Sequence, residues 1–294
     1  NADVISTKKH GAAEILYYIG VAIIFLGITI LLWRDWSMLE FWTKVLVTLG
    51  SGIATYFVGL LFSRDERTET VSSAFYFISA FITPIGLWVV LNHAGFDVSS
   101  YKYQSLVSGI MLGIYLISLL APRRKIFILF SILFGSWFFF SFTSWIVSGI
   151  PNFNYWTFYM YRVLIISIIY VWIGYLFSKD TYAPLSEILY DIGILGFLSA
   201  ALLLGNWQPN QNVFWELIYP VFIFGSLFLS IQIKNKTFLT WGTFFLMIFI
   251  LKITSEYFST GLGWPFALVI AGIAMIGAGY MSLSIKKKYL TTQQ

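Results

Sequence analysis

Long apolar runs broken by short polar stretches organise this chain. Residues 71–92 read V-S-S-A-F-Y-F-I-S-A-F-I-T-P-I-G-L-W-V-V-L-N, without one charged side chain. About 20 apolar residues in a helix cross the roughly 30 Å hydrocarbon core of a bilayer. Nine more such runs follow the same grammar, and the pattern predicts spans over 14–33, 38–62, 71–92, 104–121, 126–148, 155–177, 186–205, 213–233, 237–251 and 263–284. The expected fold is all-α: a polytopic transmembrane helix bundle of about ten spans. A membrane β-barrel would need short segments of alternating polarity, and the sequence has none.

Punctuation inside the spans sharpens this picture. Pro84 and Gly86 interrupt the third span and Pro220 the eighth. Proline removes a backbone donor and crowds the preceding turn, so a kink or local unwinding is expected around Thr83–Gly86. In lipid, freed carbonyls are tolerated only against neighbouring helices or a wet cavity. Both helices therefore belong to the middle of the bundle, with Thr83, Pro84, Gly86, Tyr219 and Pro220 as candidate kink or binding residues. Ser37-Met38-Leu39-Glu40 matches a capping box and starts the second span near Met38. Gly109 and Gly113, four apart, offer a small-residue face for a second helix, a membrane partner or another copy of the chain. Ten spans divide five plus five near Gly149, giving halves 14–148 and 155–284. An odd number per half makes the halves inverted, with prolines in the third span of each, the pattern of a transporter site. No residue-level likeness between those halves stands out.

Composition fixes the class. The chain is 59% hydrophobic, 20% aromatic and only 11% charged, with mean hydropathy +0.81, against about 25% charged in an ordinary soluble domain. There is no cysteine, which excludes disulfides and thiolate metal sites. The net charge of +5 is scattered over loops rather than gathered in a nucleic-acid patch. Of the 18 lysines and arginines, Arg34, Lys44, Lys102, Arg162 and Lys252 fall on one side of the threading and the rest on the other. The positive-inside rule then puts both termini in the cytoplasm. Residues 1–13 form a cytoplasmic stub and 285–294 a basic tail. The opening Asn1 in place of Met leads us to expect processing or truncation.

Few side chains offer chemistry. Arg162 lies near the outer end of the sixth span. Snorkelling to the headgroups accounts for it; the alternative is an anion contact or an ion pair with Glu216 in the eighth span. Glu216 follows Asn212, where a helix N-terminus favours a carboxylate. Glu187 and Asp191 share a face at the inner start of the seventh span. They are read either as helix-terminus charges or as a cation or proton site, with Asp191 the deeper. The middle of each span lacks ionisable residues, so a proton relay has no members. The two histidines, His10 and His93, fall at span ends, which disfavours bis-histidine haem. No phosphate loop or dinucleotide fingerprint occurs. No catalytic residue, metal or cofactor is expected, and the chain is read as a non-enzyme. Phe127, Phe130, Phe134, Trp137 and Phe138 are read as bundle packing or as a groove for quinone, polyprenyl or lipid.

Three blocks carry a resemblance. Residues 16–48 include I-G-V-A-I-I-F-L-G-I-T-I-L-L-W-R-D-W, residues 257–288 include Y-F-S-T-G-L-G-W-P-F-A-L-V-I-A-G-I-A-M-I-G-A-G-Y, and N-H-A-G-F-D stands at 92–97. Together they resemble the prokaryotic predicted membrane proteins grouped as domain of unknown function 2157. That resemblance implies a bacterial or archaeal inner membrane and a soluble helical segment before the first span. It supplies no functional residues. From the kinked pair and the uncharged interior, the expected function is a carrier or channel-like protein for a small neutral or amphiphilic solute or lipid. The alternative is a non-catalytic membrane subunit or scaffold.

Overall fold

The computed structural model describes residues 36–63, 68–120, 125–178, 183–207 and 212–258, and isolated helical positions within 19–30 and 269–280. The first and tenth predicted spans, the stub and the basic tail otherwise lie outside the described residues. The described elements are helices: α1 (Phe41–Phe62), α2 (Glu69–His93), α3 (Tyr101–Ser118), α4 (Lys125–Val147), α5 (Tyr155–Phe177), α6 (Ala183–Leu204), α7 (Val213–Ile233) and α8 (Lys236–Phe258). All but α3 are long and apolar enough to cross a membrane, so the polytopic helical class holds. The chain forms two compact units, Asn1–Pro151 and Asn152–Gln294.

In the first unit α2 is the central helix, packed against α1, α3 and α4. Half of its most apolar window is buried, against 17% for α1 and 22% for α4. The α1–α2 seam shows why. Gly52 and Gly59, seven apart, face Ser72 and Ser79, also seven apart. Ser72 Oγ donates to the Gly59 carbonyl at 2.9 Å and Ser79 Oγ to the Gly52 carbonyl at 2.8 Å. Glycines let the backbones approach, and hydroxyls join them where lipid offers no competing water. Phe41 stacks on His93 at 3.6 Å, closing the far end of the seam.

The proline expectation is corrected here. The helix α2 runs unbroken through Pro84; the irregularity sits in the helix that faces it. Leu46–Gly50 of α1 forms a widened π-helical turn. A Cβ on Gly86 would stand 2.5 Å from the Leu49 amide nitrogen, so the two backbones touch there. Thr48 Oγ1 donates to the Lys44 carbonyl at 2.6 Å, and Ser51 Oγ donates to the carbonyls of Val47 and Thr48. These bonds satisfy the loosened turn from within its own helix. Thr83 packs on Gly52. Thr83, Pro84 and Gly86 are thus buried in a helix–helix contact. The expected capping box is also absent: α1 starts at Phe41, with Glu40 as an N-cap lacking a side-chain bond.

The core of the first unit gathers Tyr76, Ala80, Met111, Tyr115 and Phe127, Phe130 and Phe134. The three phenylalanines are therefore core, not groove. Gly109 lies against the Phe138 ring of α4, whereas Gly113 meets nothing within 4 Å.

In the second unit α6 is central, packed against α5, α7 and α8, again with half of its apolar window buried. The seam repeats that of the first unit. A Cβ on Gly59 would strike the Tyr76 ring at 2.8 Å, and one on Gly174 the Tyr190 ring at 3.1 Å. Tyr76 meets Phe127 edge-on at 4.7 Å and 64°; Tyr190 meets Phe238 at 5.0 Å and 62°. With this geometry as a guide, a sequence likeness appears: G-L-L-F-S-R-D at 59–65 against G-Y-L-F-S-K-D at 174–180, and S-x-x-x-Y at 72–76 against 186–190. It relates α1–α4 to α5–α8, four elements apart. The five-plus-five inverted reading pairs α2 with α7; the matching residues instead pair α2 with α6.

Candidate functional site

The second unit holds the ionisable residues that the fold gathers. The ninth predicted span stops at Leu251, before the first charge, but α8 continues to Phe258. Lys252 is consequently helical and 1% exposed. Its Nζ lies 2.8 Å from Glu256 Oε2, one turn on, and 3.1 Å from Glu216 Oε1 on α7. The Glu256 side chain is 2% exposed. Its Oε1 finds no donor among the described residues. Gly205, just past α6, closes the third side: a Cβ there would stand 3.9 Å from both Lys252 Nζ and Glu216 Cγ. One ammonium shared by two carboxylates pins α7 to α8, and the open lone pairs of Glu256 can accept a bond from a ligand donor.

Tyr219 lies one turn further along α7, 2% exposed, its ring 5.1 Å from Phe249. Its hydroxyl has no partner among the described residues. Pro220 leaves α7 unbroken. It lacks the N–H that would bond the Glu216 carbonyl four residues back.

Arg162 lies in the first half of α5. It is 6% exposed, and its guanidinium lies 4.6 Å above the Phe158 ring and 5.5 Å from that of Tyr159 on its own helix. Next to it, Tyr161 meets Trp215 at 5.9 Å, bringing this turn of α5 to the start of α7. The sequence reading did not offer Lys252, which the structure puts beside Glu216. Lys252-x-x-x-Glu256 at helical spacing was the signal to find it. Asp191 is exposed and accepts from Trp241 Nε1 at 3.0 Å, which ties α6 to α8.

The second feature is a groove of about 740 Å³ between α5 and α7, with Ile194 and Phe197 of α6 and Phe238 of α8 lining it as well. Val171, Val221 and Gly225 give it an apolar waist, and Tyr175 and Gln232 a polar end. The corresponding space of the first unit, between α1 and α3, is bridged: Tyr56 OH meets Ser118 Oγ at 2.5 Å. Three residues before the matched glycines stand Tyr56 in one unit and Val171 in the other. The side chain that reaches across in the first unit is cut short in the second. A smaller groove of about 460 Å³, lined by Lys102, Gly109 and Trp145 among others, runs between α3 and α4.

No family model, curated protein or solved structure matches this chain.

Proposed function

We propose that the chain is an integral membrane carrier that takes a lipid or other amphiphilic solute into its second unit. The observation behind this reading is the open apolar groove between α5 and α7, whose volume of about 740 Å³ falls within the roughly 300–1,000 Å³ of small-molecule sites. The full threading of this reading has ten spans with both termini cytoplasmic, in a bacterial or archaeal inner membrane, as in the family that the sequence resembles. No bond-making step is assigned to any residue. The ion cluster then serves as the rigid post that holds α7 and α8 together beside the groove.

Reconstituted vesicles test it. Movement of a fluorescent phospholipid between leaflets is expected with the native chain and lost in Val171→Trp, which fills the groove. Equal rates for native chain, Val171→Trp and empty vesicles overturn the carrier. The scaffold reading draws on Gly113, whose open face admits another helix. A stoichiometric partner lost on Gly113→Leu, in a chain that moves no lipid, favours it instead.

A further inference from the structure

The groove has a length and a charged end, and these identify its occupant. On α7 it is lined from Val221 to Ile233, which at 1.5 Å per residue is about 18 Å of helix. On α5 it is lined from Ser167 to Tyr175, about 12 Å by the same rise. Both helices run the same way, since one helix separates them, so Tyr175 and Gln232 mark one end and Ser167 and Val221 the other. The span is about half of the roughly 30 Å hydrocarbon core. It matches one leaflet and therefore one lipid tail.

The end where α5 and α7 finish is polar and then basic. Tyr175 and Gln232 line the groove there. The next residues on α7 are Ile233, also in the lining, and Lys234, which caps the helix with φ +56°. Lys236 opens α8 two residues later, and both lysines are exposed. A left-handed cap followed at once by a new helix brings two exposed lysines into the turn that follows Gln232 and Ile233 of the lining. Tail-length apolar walls that end next to a turn with two lysines complement an anionic phospholipid.

We infer that the α5–α7 groove is a binding site for one acyl tail of an anionic phospholipid, its phosphate at Lys234 and Lys236, and that Tyr56 blocks the equivalent site in the first unit. This inference rests on the proposed function only for the choice of groove; occupancy is separate from movement. The lining carries the argument: Val171 leaves room that Tyr56 fills, and Gly225 keeps the α7 wall low. The same architecture occurs twice, so each unit is the control for the other.

The test uses the full chain in nanodiscs containing phosphatidylglycerol or phosphatidylcholine with a diazirine in the acyl tail, and adducts are mapped by peptide mass spectrometry. With phosphatidylglycerol, adducts are expected on 167–175 and 221–233, several-fold above the other lipid-facing helices. Val171→Tyr is expected to cut them about tenfold, and Gly225→Phe, on the other wall, repeats the test if the tyrosine variant does not fold. Tyr56→Val is expected to create adducts between α1 and α3. Lys234→Gln with Lys236→Gln is expected to remove the preference for phosphatidylglycerol while leaving tail labelling. Uniform labelling of all helices, or labelling unmoved by both groove-filling variants, overturns the site. So does the absence of lipid adducts at these residues in a chain that elutes as a dimer from the nanodiscs, which would mean that a second copy covers the groove. Labelling as expected without lipid movement leaves the site standing and removes the carrier.

Discussion

Two units, each with four of the described helices arranged on one plan, differ in how those helices close. In each, a central helix sets a tyrosine against a glycine of the helix before it, and the tyrosine meets a phenylalanine of the last described helix at nearly the same distance and angle. In the first unit, hydroxyls finish the job. Tyr56 OH meets Ser118 Oγ across α1 and α3, and Ser108 Oγ meets Ser141 Oγ at 3.2 Å across α3 and α4. In the second, α7 and α8 are joined by Lys252 with two carboxylates, and the space between α5 and α7 stays open. Hydroxyl pairs are neutral and short, and they draw helices together. A buried ion pair holds only while all its members are present, because a lone buried charge has lost its hydration with nothing in return.

The sharpest break of this comparison is therefore electrostatic. Lys252→Met removes the cation that the two carboxylates share and is expected to cost about 3–5 kcal/mol, whereas adding Glu216→Gln and Glu256→Gln to it should recover most of that. Thermal unfolding in detergent reads both. A triple variant as unstable as the single one would mean that the lysine acts through packing rather than charge.

Next come the glycine contacts. Gly86→Ala drives a methyl into the Leu49 backbone, which side-chain motion cannot relieve, and falls at the upper end of the roughly 1–3 kcal/mol of overpacking. Gly59→Ala and Gly174→Ala each press on a tyrosine ring and are expected to lose similar, smaller amounts. Strongly unequal losses from this last pair would count against a shared plan.

Ser72→Ala and Ser79→Ala each remove one inter-helix hydrogen bond, worth about 0.6 kcal/mol in a membrane protein; the double variant should lose the sum. The smallest effect lies outside the spans. Asp97 accepts from the Ser99 hydroxyl and amide, and these bonds hold its carboxyl below the usual range. A carboxyl depressed on folding adds stability above its unfolded value, about 3.9, and loses it as pH falls through the lower folded value. Native chain should exceed Asp97→Asn in melting temperature at pH 7, with the gap narrowing below about pH 4.

Much of the fold could be read without coordinates. The spans 155–177 and 213–233 coincide with α5 and α7, because an uninterrupted apolar run bounded by Asn154 or Asn212 leaves little choice of ends. At α8 the expected span ends at the first charge, yet the helix runs on and Lys252 is buried because its partners come from its own next turn and from α7. Pro84 misled in another way. Its freed carbonyl suggested a break, and the neighbouring helix widened instead. The repeat was hidden because it rests on single glycines, serines and tyrosines spaced through apolar filler. Only their contacts show which of many such residues correspond.

The sequence alone determined the solvent of this chain, the helical class and most helix ends, since hydropathy and length act along the chain one segment at a time. Tertiary structure decided which helix is central in each unit, that Lys252 is buried beside Glu216, and which gap is bridged and which left open. Those outcomes depend on side chains far apart in sequence, such as Tyr56 and Ser118 or Glu216 and Lys252. Their energies arise only when packing brings them within a few ångströms.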